Sequence, residues 1–432
     1  MWLRAPAAWR RAPAHPGAVP AWLWRTPARM RVIAAWLLAT PAWLLAAPVS
    51  GQARGPDTVV VTEDPLWDRV RVVEELRFGD LEGPEATTFG RISALVVEED
   101  GDIVVYDAHV PALRRFTGDG RFVQTIGRAG EAPGEYRRVD GLVVLPGSEF
   151  AIWDLGLQRI TVYDSAGRSV RTYRFCCGVG GAEIFHADSA GNFYIKTALI
   201  RRTGDRPTRQ WPRAFVRVDD AGVPKDTLPL PLEEAPDLPL IVPLPEGPRV
   251  PFVEEWRHAM SNRGYLVQGR NSRYRVEIVV PGGRRRVLRR DVEPVEIGPG
   301  ERSQWESWTA FVDQLERARG FTHTFTPIPD SKPFFRSLFV DADGRIWIDR
   351  YVPARHEAWQ PFPTTPDAPS FSWREPPTFD VIRPDGRLLG TLELRPDVRL
   401  LFSRGDSIWG VARGEFDEEY VVRLRIEERN ES

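Results

Sequence analysis

Several residues whose side chains could bind a ligand or a metal share one position in a repeated pattern of short apolar runs. Aligned by the turns that follow them, they are Ser93, Asp140, Glu183, Trp256 and Arg336, with Arg399 as a looser match. Asp140 and Glu183 supply carboxylate oxygens, the ligands that calcium prefers. Arg336 would compete with a cation, so the alternative is a ring of charged residues that satisfy one another. We predict ligand binding by Asp140, Glu183, Trp256 and Arg336 and no cofactor, with calcium as the alternative.

Three tryptophans in long insertions are further predicted ligand-binding residues: Trp211, Trp359 and Trp373. They lie near arginines, such as Arg209 and Arg355, and aromatic residues with arginine are common at interfaces. The partner would be a protein, a peptide or a carbohydrate. The alternative is that these proline-rich loops use their aromatic side chains to pack against themselves.

Signatures of catalysis are missing from the sequence. It contains no G-x-S-x-G, H-E-x-x-H or P-loop motif. The histidines beyond the N-terminal segment do not share one position in the repeat; they are His109, His186, His258, His323 and His356. Asp341-x-Asp343-Gly344 resembles the start of a calcium loop, but it falls on a hairpin turn, and turn chemistry explains it. The two cysteines, Cys176 and Cys177, are adjacent. They read as two small apolar residues at a strand end, or as a strained disulfide.

The elements that would position these residues come from a repeat that is clearest over residues 92–175. Each copy has four runs of β-branched or aromatic residues, separated by turns such as Asp100-Gly101 and Ala166-Gly167. A unit of about 40–45 residues with four strands is typical of a β-propeller blade. Weaker copies follow, and we predict an all-β fold of six four-stranded antiparallel blades. Seven blades are the alternative if residues 229–253 contain strands.

The last copy ends one strand short, and the N-terminal region supplies a matching segment. Residues 70–79 align with Arg121–Gly127, the fourth strand of the first copy, and residues 80–84 align with the junction after it. We therefore predict that this segment completes the last blade, which closes the ring and removes an open edge.

The repeat resembles a known family. Asp-Gly-Asp-Ile-Val-Val-Tyr-Asp at residues 100–107 and Ile-Gly-Arg-Ala-Gly-Glu-Ala-Pro-Gly-Glu-Tyr at residues 126–136 are similar to the NHL-type six-bladed propellers of exported bacterial proteins. The resemblance implies the fold and an extracytoplasmic location but no shared reaction, because NHL-like propellers include binding scaffolds, lactonases and lyases.

The insertions all fall on one predicted face of the ring. Loops between the second and third strands of a blade, and crossovers between blades, share this face, and the tight turns occupy the other. The insertions are Arg201–Arg213, Pro229–Pro251, Pro294–Pro333 and Arg350–Pro377. Insertions collected on one face of a repeat protein often mark its binding face; the alternative is drift in loop length.

One insertion contains a predicted helix near residues 303–319. Ser303 and Glu306 have the spacing of a capping box, and Gly320 is a plausible stop. Apolar residues recur at helical spacing between them: Trp305, Trp308, Phe311, Val312 and Leu315. We expect this stripe to pack on the propeller as a small lid, with a partner-docking helix as the alternative.

The first 53 residues read as a targeting segment. A basic extension precedes Met30, and an apolar run over residues 32–47 leads to small residues at Gly51 and Ala53. We predict a signal peptide that starts at Met30 and a propeller domain over residues 54–432, with an uncleaved anchor as the alternative.

Charge and composition narrow the function. The net charge of −2 gives no electrostatic reason to expect binding to nucleic acid or to an anionic membrane. We predict an exported monomer, periplasmic or secreted, that binds a ligand or protein through the insertions of blades three to five. The alternative is a lactonase- or lyase-like enzyme with a metal at the mouth of the channel.

Overall fold

A computed structural model of the chain describes residues 57–63, 67, 70–174, 185–198, 213–231, 251–280, 282, 284–318, 320, 327–359 and 367–428. The predicted signal peptide, Glu183, Trp211 and the two cysteines therefore lie outside the described residues, and predictions about them remain predictions. No helix in the described part of the chain is both long enough and apolar enough to span a membrane.

The fold is an all-β propeller of six blades, each with four antiparallel strands, as predicted. Three strands precede the first blade, namely β1 (Asp57–Val60), β2 (Thr62–Glu63) and β3 (Val70–Phe78). Blade 1 contains β4 (Ile92–Val97), β5 (Ile103–Asp107), β6 (Ala112–Phe116) and β7 (Phe122–Ile126). Blade 2 contains β8 (Val139–Leu145), β9 (Glu149–Asp154), β10 (Arg159–Tyr163) and β11 (Ser169–Arg174). Blade 3 contains β12 (Phe185–Ala187), β13 (Phe193–Ala198), β14 (Arg213–Val218) and β15 (Pro224–Pro229).

The second half of the ring carries the additional elements. Blade 4 contains β16 (Trp256–Met260), β17 (Leu266–Arg270), β18 (Arg275–Val279) and β19 (Arg285–Arg289), followed by helix α1 (Pro299–Ala318). Blade 5 contains β20 (Phe335–Val340) and β21 (Ile346–Arg350), then an inserted hairpin of β22 (Arg355–Trp359) and β23 (Phe371–Arg374), then β24 (Thr378–Ile382) and β25 (Arg387–Glu393). Blade 6 contains β26 (Val398–Arg404), β27 (Ser407–Arg413) and β28 (Glu419–Glu428).

The N-terminal strand β3 closes the ring, as the sequence predicts. It pairs antiparallel with β28 from Phe78 opposite Val421 to Val70 opposite Glu428, and so forms the fourth strand of blade 6. The residues before β3 add an interaction that the sequence does not reveal. β1 pairs in parallel with β19 of blade 4, and β2 pairs in parallel with β25 of blade 5. The N-terminal segment therefore covers the outer edges of two blades before it completes a third.

The core consists of apolar layers between neighbouring blades. Buried side chains form a separate cluster at each of the six blade interfaces, including the one that joins blades 6 and 1. Because every blade packs on both faces, its inner strands are almost continuously apolar, as in β5 and β10, whose five residues are all buried. The tight turns follow the expected chemistry: Asp341 Oδ1 accepts the backbone N–H groups of Asp343 and Arg345 at 3.0 and 2.8 Å.

Helix α1 begins four residues earlier than predicted. Pro299 opens it, and the N–H of Arg302 bonds to the carbonyl of Gly298, so Ser303 lies inside the helix and does not cap it. Proline suits the first helical position because its missing N–H would have no partner there. Gly320 follows the end of the helix with φ +85°, as the predicted stop requires.

Candidate functional site

The candidate site is the face that carries the long insertions, which we call the insertion face. Helix α1 and the β22–β23 hairpin pack there against the loop before blade 4, and together we call the helix and hairpin the lid. Their shared apolar core contains Phe252, Ile297, Trp305, Trp308, Val312 and Phe371. These residues come from the insertions 294–333 and 350–377 and from Phe252, just after a third insertion. The described parts of the two insertions therefore lie on one face, as predicted, and the stripe on α1 packs as a lid.

Polar contacts fix the helix to the hairpin. The side-chain amide of Gln304 accepts the N–H groups of Ser372 and Trp373 at 2.7 and 2.8 Å, and it donates to the carbonyl of Trp373 at 2.9 Å. Gln304 is buried, and its side-chain amide forms hydrogen bonds with the backbone of β23 as the backbone of a neighbouring strand would. Gly300 permits the close approach, because a Cβ atom there would lie 2.4 Å from Trp373 Nε1.

A set of charged residues, which we call the ionic network, lies under the lid at the start of blade 5; Glu301 and Lys332 are buried and the other three are half-buried. Its members are Glu301, Lys332, Arg336, Asp349 and Glu375. Lys332 Nζ lies 2.8 Å from Glu301 Oε1 and 2.7 Å from Glu375 Oε1. Arg336 donates to the other oxygen of Glu375 at 2.5 Å and to Asp349 at 2.9 Å. The network therefore ties the helix, the crossover, the first two strands of blade 5 and the insertion after them.

The electrostatics of the network follow from its burial. Burial raises the pKa of Glu301 to about 7, although Lys332 opposes the shift and Glu375 adds to it. Burial by itself lowers the pKa of Arg336, but Asp349 and Glu375 outweigh it, and the pKa is raised overall. Arg336 also lies over the ring of Tyr351 at 5.1 Å. Its guanidinium is thus held by its own blade and insertion, which favours the predicted alternative of satisfied charges.

The predicted equivalence of the first-strand residues holds only in part. Ser93, Asp140 and Arg336 each occupy a β-bulge, at the same distance from the end of the partner strand. A bulge re-aims a side chain and is common next to functional sites. Trp256 departs from the prediction, because β16 pairs with β17 without a bulge and Trp256 lies directly opposite Arg270. In blade 6 the irregularity falls between Leu400 and Phe402, so Arg399 does not occupy the bulge either.

Asp140 is engaged within its own blade. Arg138 donates to Asp140 Oδ1 at 2.9 Å, and burial raises the pKa of Asp140 although Arg138 opposes the shift. Its Oδ2 atom is buried without a hydrogen-bond partner among the described residues. The described part of the chain brings no second carboxylate of the predicted set to Asp140, because Glu183 lies outside it, so calcium binding there stays a prediction.

The two described tryptophans of the insertions meet inside the lid. Trp359 donates its indole N–H to the carbonyl of Trp373 at 2.9 Å, and its ring packs against Phe371. Both side chains are half-buried, and Arg374 lies over the Trp359 ring at 5.2 Å. These contacts match the alternative in which the loops pack against themselves, and ligand binding by either residue stays a prediction.

Sequence reasoning missed Glu301, Lys332, Asp349 and Glu375, because nothing in their spacing connects them. It also missed an acidic group in blade 1 formed by Glu98, Asp100 and Asp102, whose carboxylate oxygens lie within 4.8 Å of one another. Glu98 is already paired with Arg115 at 2.9 Å. The group sits on a hairpin turn of the face opposite the insertions, which we call the turn face.

A comparison with known protein families agrees with the architecture. A family described as a 6-bladed beta-propeller is similar to residues 58–226, which hold the N-terminal strands and most of blades 1 to 3. No curated protein matches the chain. Among solved structures, a protein from Bacteroides vulgatus is similar at 12% identity and a TM-score of 0.47, over 84% of this chain and 99% of its own. Virginiamycin B lyase from Staphylococcus aureus is similar at 11% identity and a TM-score of 0.40, over 82% of this chain and 99% of its own. By its sheet topology and by this family match, the chain is a six-bladed β-propeller.

Proposed function

We propose that this propeller is an exported, non-catalytic binding protein, of the NHL-like bacterial type, that engages its partner through the insertion face. The observation that carries the proposal is the construction of the lid. Two insertions, distant in the chain, share one apolar core and one largely buried ionic network. A rigid, pre-organised surface loses little conformational entropy on binding, so a braced lid is suited to recognition.

The outer surface of the lid is the proposed contact. Residues 355–358 of β22 are exposed, and among the described strands β22 pairs with β23 alone. An extended peptide segment can pair with such an edge while its side chains contact the exposed residues. A protein or peptide is therefore the favoured partner, and a carbohydrate is the alternative.

Export rests on the sequence. The apolar run over residues 32–47 and the small residues before residue 54 support a signal peptide, and the engaged state of Asp140 and Arg336 favours binding over catalysis. A metal assay on the purified protein separates the two classes. Stoichiometric calcium or zinc that is lost on Asp140→Ala would contradict the non-catalytic proposal.

Two substitutions of alanine by arginine, one on each face of the ring, test whether the insertion face binds the partner. Ala358 is exposed on β22 of the lid, and Ala221 is exposed on a turn of blade 3 on the turn face. Tagged protein is used to capture partners from the native cell envelope. Ala358→Arg is expected to reduce the captured partner at least about tenfold, while Ala221→Arg leaves it unchanged. Capture that survives Ala358→Arg but fails with Ala221→Arg would place the contact on the wrong face and overturn the proposal.

A further inference from the structure

Phe416 is the most exposed large apolar residue in the described part of the chain. It is 75% exposed, whereas Val60, the next in order, is 52% exposed. Phe416 lies in the loop between β27 and β28, the second and third strands of blade 6, and loops of this kind belong to the insertion face. A single exposed apolar side chain is common on protein surfaces, so exposure alone assigns Phe416 no role.

The loop is braced in a way that fixes Phe416 at its tip. The N–H group of Gly414 donates to the carbonyl of Glu418 at 2.9 Å, and the N–H group of Phe416 donates to the carboxylate of Glu418 at 2.8 Å. Tyr420 donates to the other oxygen of that carboxylate at 3.0 Å. An aromatic side chain on a pre-organised loop loses little conformational entropy on binding. Residues 414–418, which we call the blade 6 loop, therefore present Phe416 as an anchor.

Both neighbours of this anchor are acidic. Glu415 and Asp417 are exposed on either side of Phe416. Asp417 lies 3.2 Å from Arg413 in an exposed ion pair, and such pairs are weak. Glu415 forms no ion pair and no side-chain hydrogen bond with any described residue. The surface that complements the blade 6 loop is therefore an apolar cavity with basic groups around it.

A cavity of this kind lies on the turn face, between blades 4 and 5. Its volume is about 400 Å³, within the range of roughly 300–1,000 Å³ that is usual for ligand pockets and larger than one aromatic side chain requires. Its apolar lining comes from Tyr265, Ile278, Val280 and Pro384. Because these residues lie in or beside the β16–β17, β18–β19 and β24–β25 turns, the cavity opens on the face opposite Phe416.

The charge of this turn-face cavity is basic. Three consecutive exposed arginines, residues 284–286, line it against a single lining carboxylate, that of Asp57. Arg286 lies 3.5 Å from Asp57, and Arg285 lies 3.7 Å from Glu277. The guanidinium of Arg284 has no ion-pair or hydrogen-bond partner among the described residues. The cavity thus offers apolar walls and an uncompensated positive charge, which is the complement of the blade 6 loop.

We infer that the blade 6 loop of one copy docks in the turn-face cavity of a second copy of this chain. Phe416 fills the apolar space, and Glu415 and Asp417 meet the arginines at 284–286. A loop cannot reach the cavity of its own chain, because the two lie on opposite faces of the ring. The contact is therefore heterologous, and the copies add head to tail.

The size of the contact sets its strength. One aromatic anchor with a few charged pairs makes a small interface, and small interfaces bind weakly. Association should therefore grow with protein concentration, and it should weaken in high salt because salt screens exposed charges. This inference departs from the monomer that the sequence predicts.

Two exposed residues supply the test variants. Phe416→Ser removes the anchor, and Arg284→Glu reverses the free charge at the cavity. Val170→Ser is the control, because it removes an exposed apolar side chain from the outer strand of blade 2. Circular dichroism melts check that all three variants fold. Sedimentation velocity of the purified proteins is measured over a wide range of concentrations, in low and in high sodium chloride.

The parent protein is expected to form species larger than a dimer as its concentration rises, and fewer of them in high salt. Phe416→Ser and Arg284→Glu are each expected to weaken the association at least about tenfold, as the loss of an interface anchor does. Val170→Ser and Ala358→Arg should leave it unchanged, which separates this contact from the proposed partner surface on the lid.

Mixing the two variants tests the head-to-tail geometry. Phe416→Ser keeps an intact cavity and Arg284→Glu keeps an intact loop, so an equimolar mixture should form a dimer of one copy of each that does not extend. The inference is overturned if the parent protein stays monomeric, if it stops at a closed dimer, or if the mixture does not pair. It is also overturned if the parent stays monomeric while Phe416→Ser loses a different envelope protein, because the loop then serves that partner.

Discussion

Lys332 Nζ and Glu301 Oε1 lie 2.8 Å apart with the lysine side chain wholly buried, and this ion pair joins the first turn of α1 to the segment that enters blade 5. Glu375 holds the same ammonium group from the other insertion at 2.7 Å. The position of the lid therefore depends on one cation between two carboxylates, and the first two predictions concern this contact.

Lys332→Met should destabilise the protein strongly. The substitution removes the cation from the buried Glu301 and leaves Glu375 with Arg336, and breaking a buried ion pair costs about 3–5 kcal/mol. Urea unfolding followed by tryptophan fluorescence measures the loss. Arg355→Met is the control, because it breaks an exposed pair with Glu393 and should change stability little. Equal losses in both variants would show that the network does not brace the lid.

The raised pKa of Glu301 predicts a pH dependence of stability. A carboxyl whose folded pKa, about 7, exceeds its unfolded value of 4.5 binds more protons when folded, so its contribution is fully present below pH 4.5 and is lost as the pH rises to about 7. Glu301→Gln should therefore flatten the fall in the free energy of unfolding between these pH values.

The control for this titration is Glu306→Gln, on the exposed side of the same helix. It should leave the pH profile of the parent protein unchanged. If Glu301→Gln instead steepened the fall, Lys332 would dominate burial and the assignment of the shift would be wrong.

The hydrogen bonds of the Tyr136 hydroxyl should make a measurable contribution to the free energy of unfolding. Its Oη atom accepts the N–H of Leu113 at 2.9 Å and donates to the carbonyl of Ile126 at 3.0 Å, wholly buried at the junction of blades 1 and 2. Tyr136→Phe should fit, because Phe89 occupies the corresponding place before blade 1. It leaves two buried backbone groups unpaired and should cost about 1–3 kcal/mol. Tyr420→Phe removes the hydroxyl of a half-buried tyrosine that donates to the side chain of Glu418 and not to a backbone group, so it should change the urea midpoint little. Similar losses in the two variants would refute the argument.

Truncation distinguishes the closing strand from the strands before it. A chain that starts at Val70 lacks β1 and β2, and we expect it to fold with lower stability because the outer edges of blades 4 and 5 are open. A chain that starts at Gly79 also lacks β3, which leaves β28 as an unpaired edge. We expect that chain to aggregate or to lose its cooperative melt by circular dichroism and size-exclusion chromatography. Identical behaviour of the two chains would contradict a special role for β3.

Much of the architecture is predictable because residues close together in the sequence specify each blade, and the same pattern then repeats. The strand at residues 70–79 can be matched to its equivalent, β7, from its own residues, and the crossovers that follow these two strands are built alike. Arg114 donates to the carbonyl of Thr88, and Arg159 donates to the carbonyl of Glu131. Asp107 and Asp154 accept the backbone N–H groups of Gly90 and Arg137, which lead into β4 and β8. The helix was found from its apolar period, although Pro299 moved its start.

The candidate site was less predictable because its contacts join segments that have no local relation. The β22–β23 hairpin has irregular register and no repeat partner, so its sequence reads as loop. Nothing in the sequence around Lys332 predicts that it is buried between Glu301 and Glu375, because lysines are mostly exposed in proteins.

The sequence by itself determined the blade and the strand that closes the ring and favoured six blades over seven, because each depends on apolar alternation and turn residues within a short window. The tertiary structure alone decided which side chains meet across blades: β1 against β19, Lys332 between two carboxylates, and His186 and His258 around Phe215. The physical reason is ring closure, which sets the distance between residues far apart in the chain and leaves no trace in their spacing.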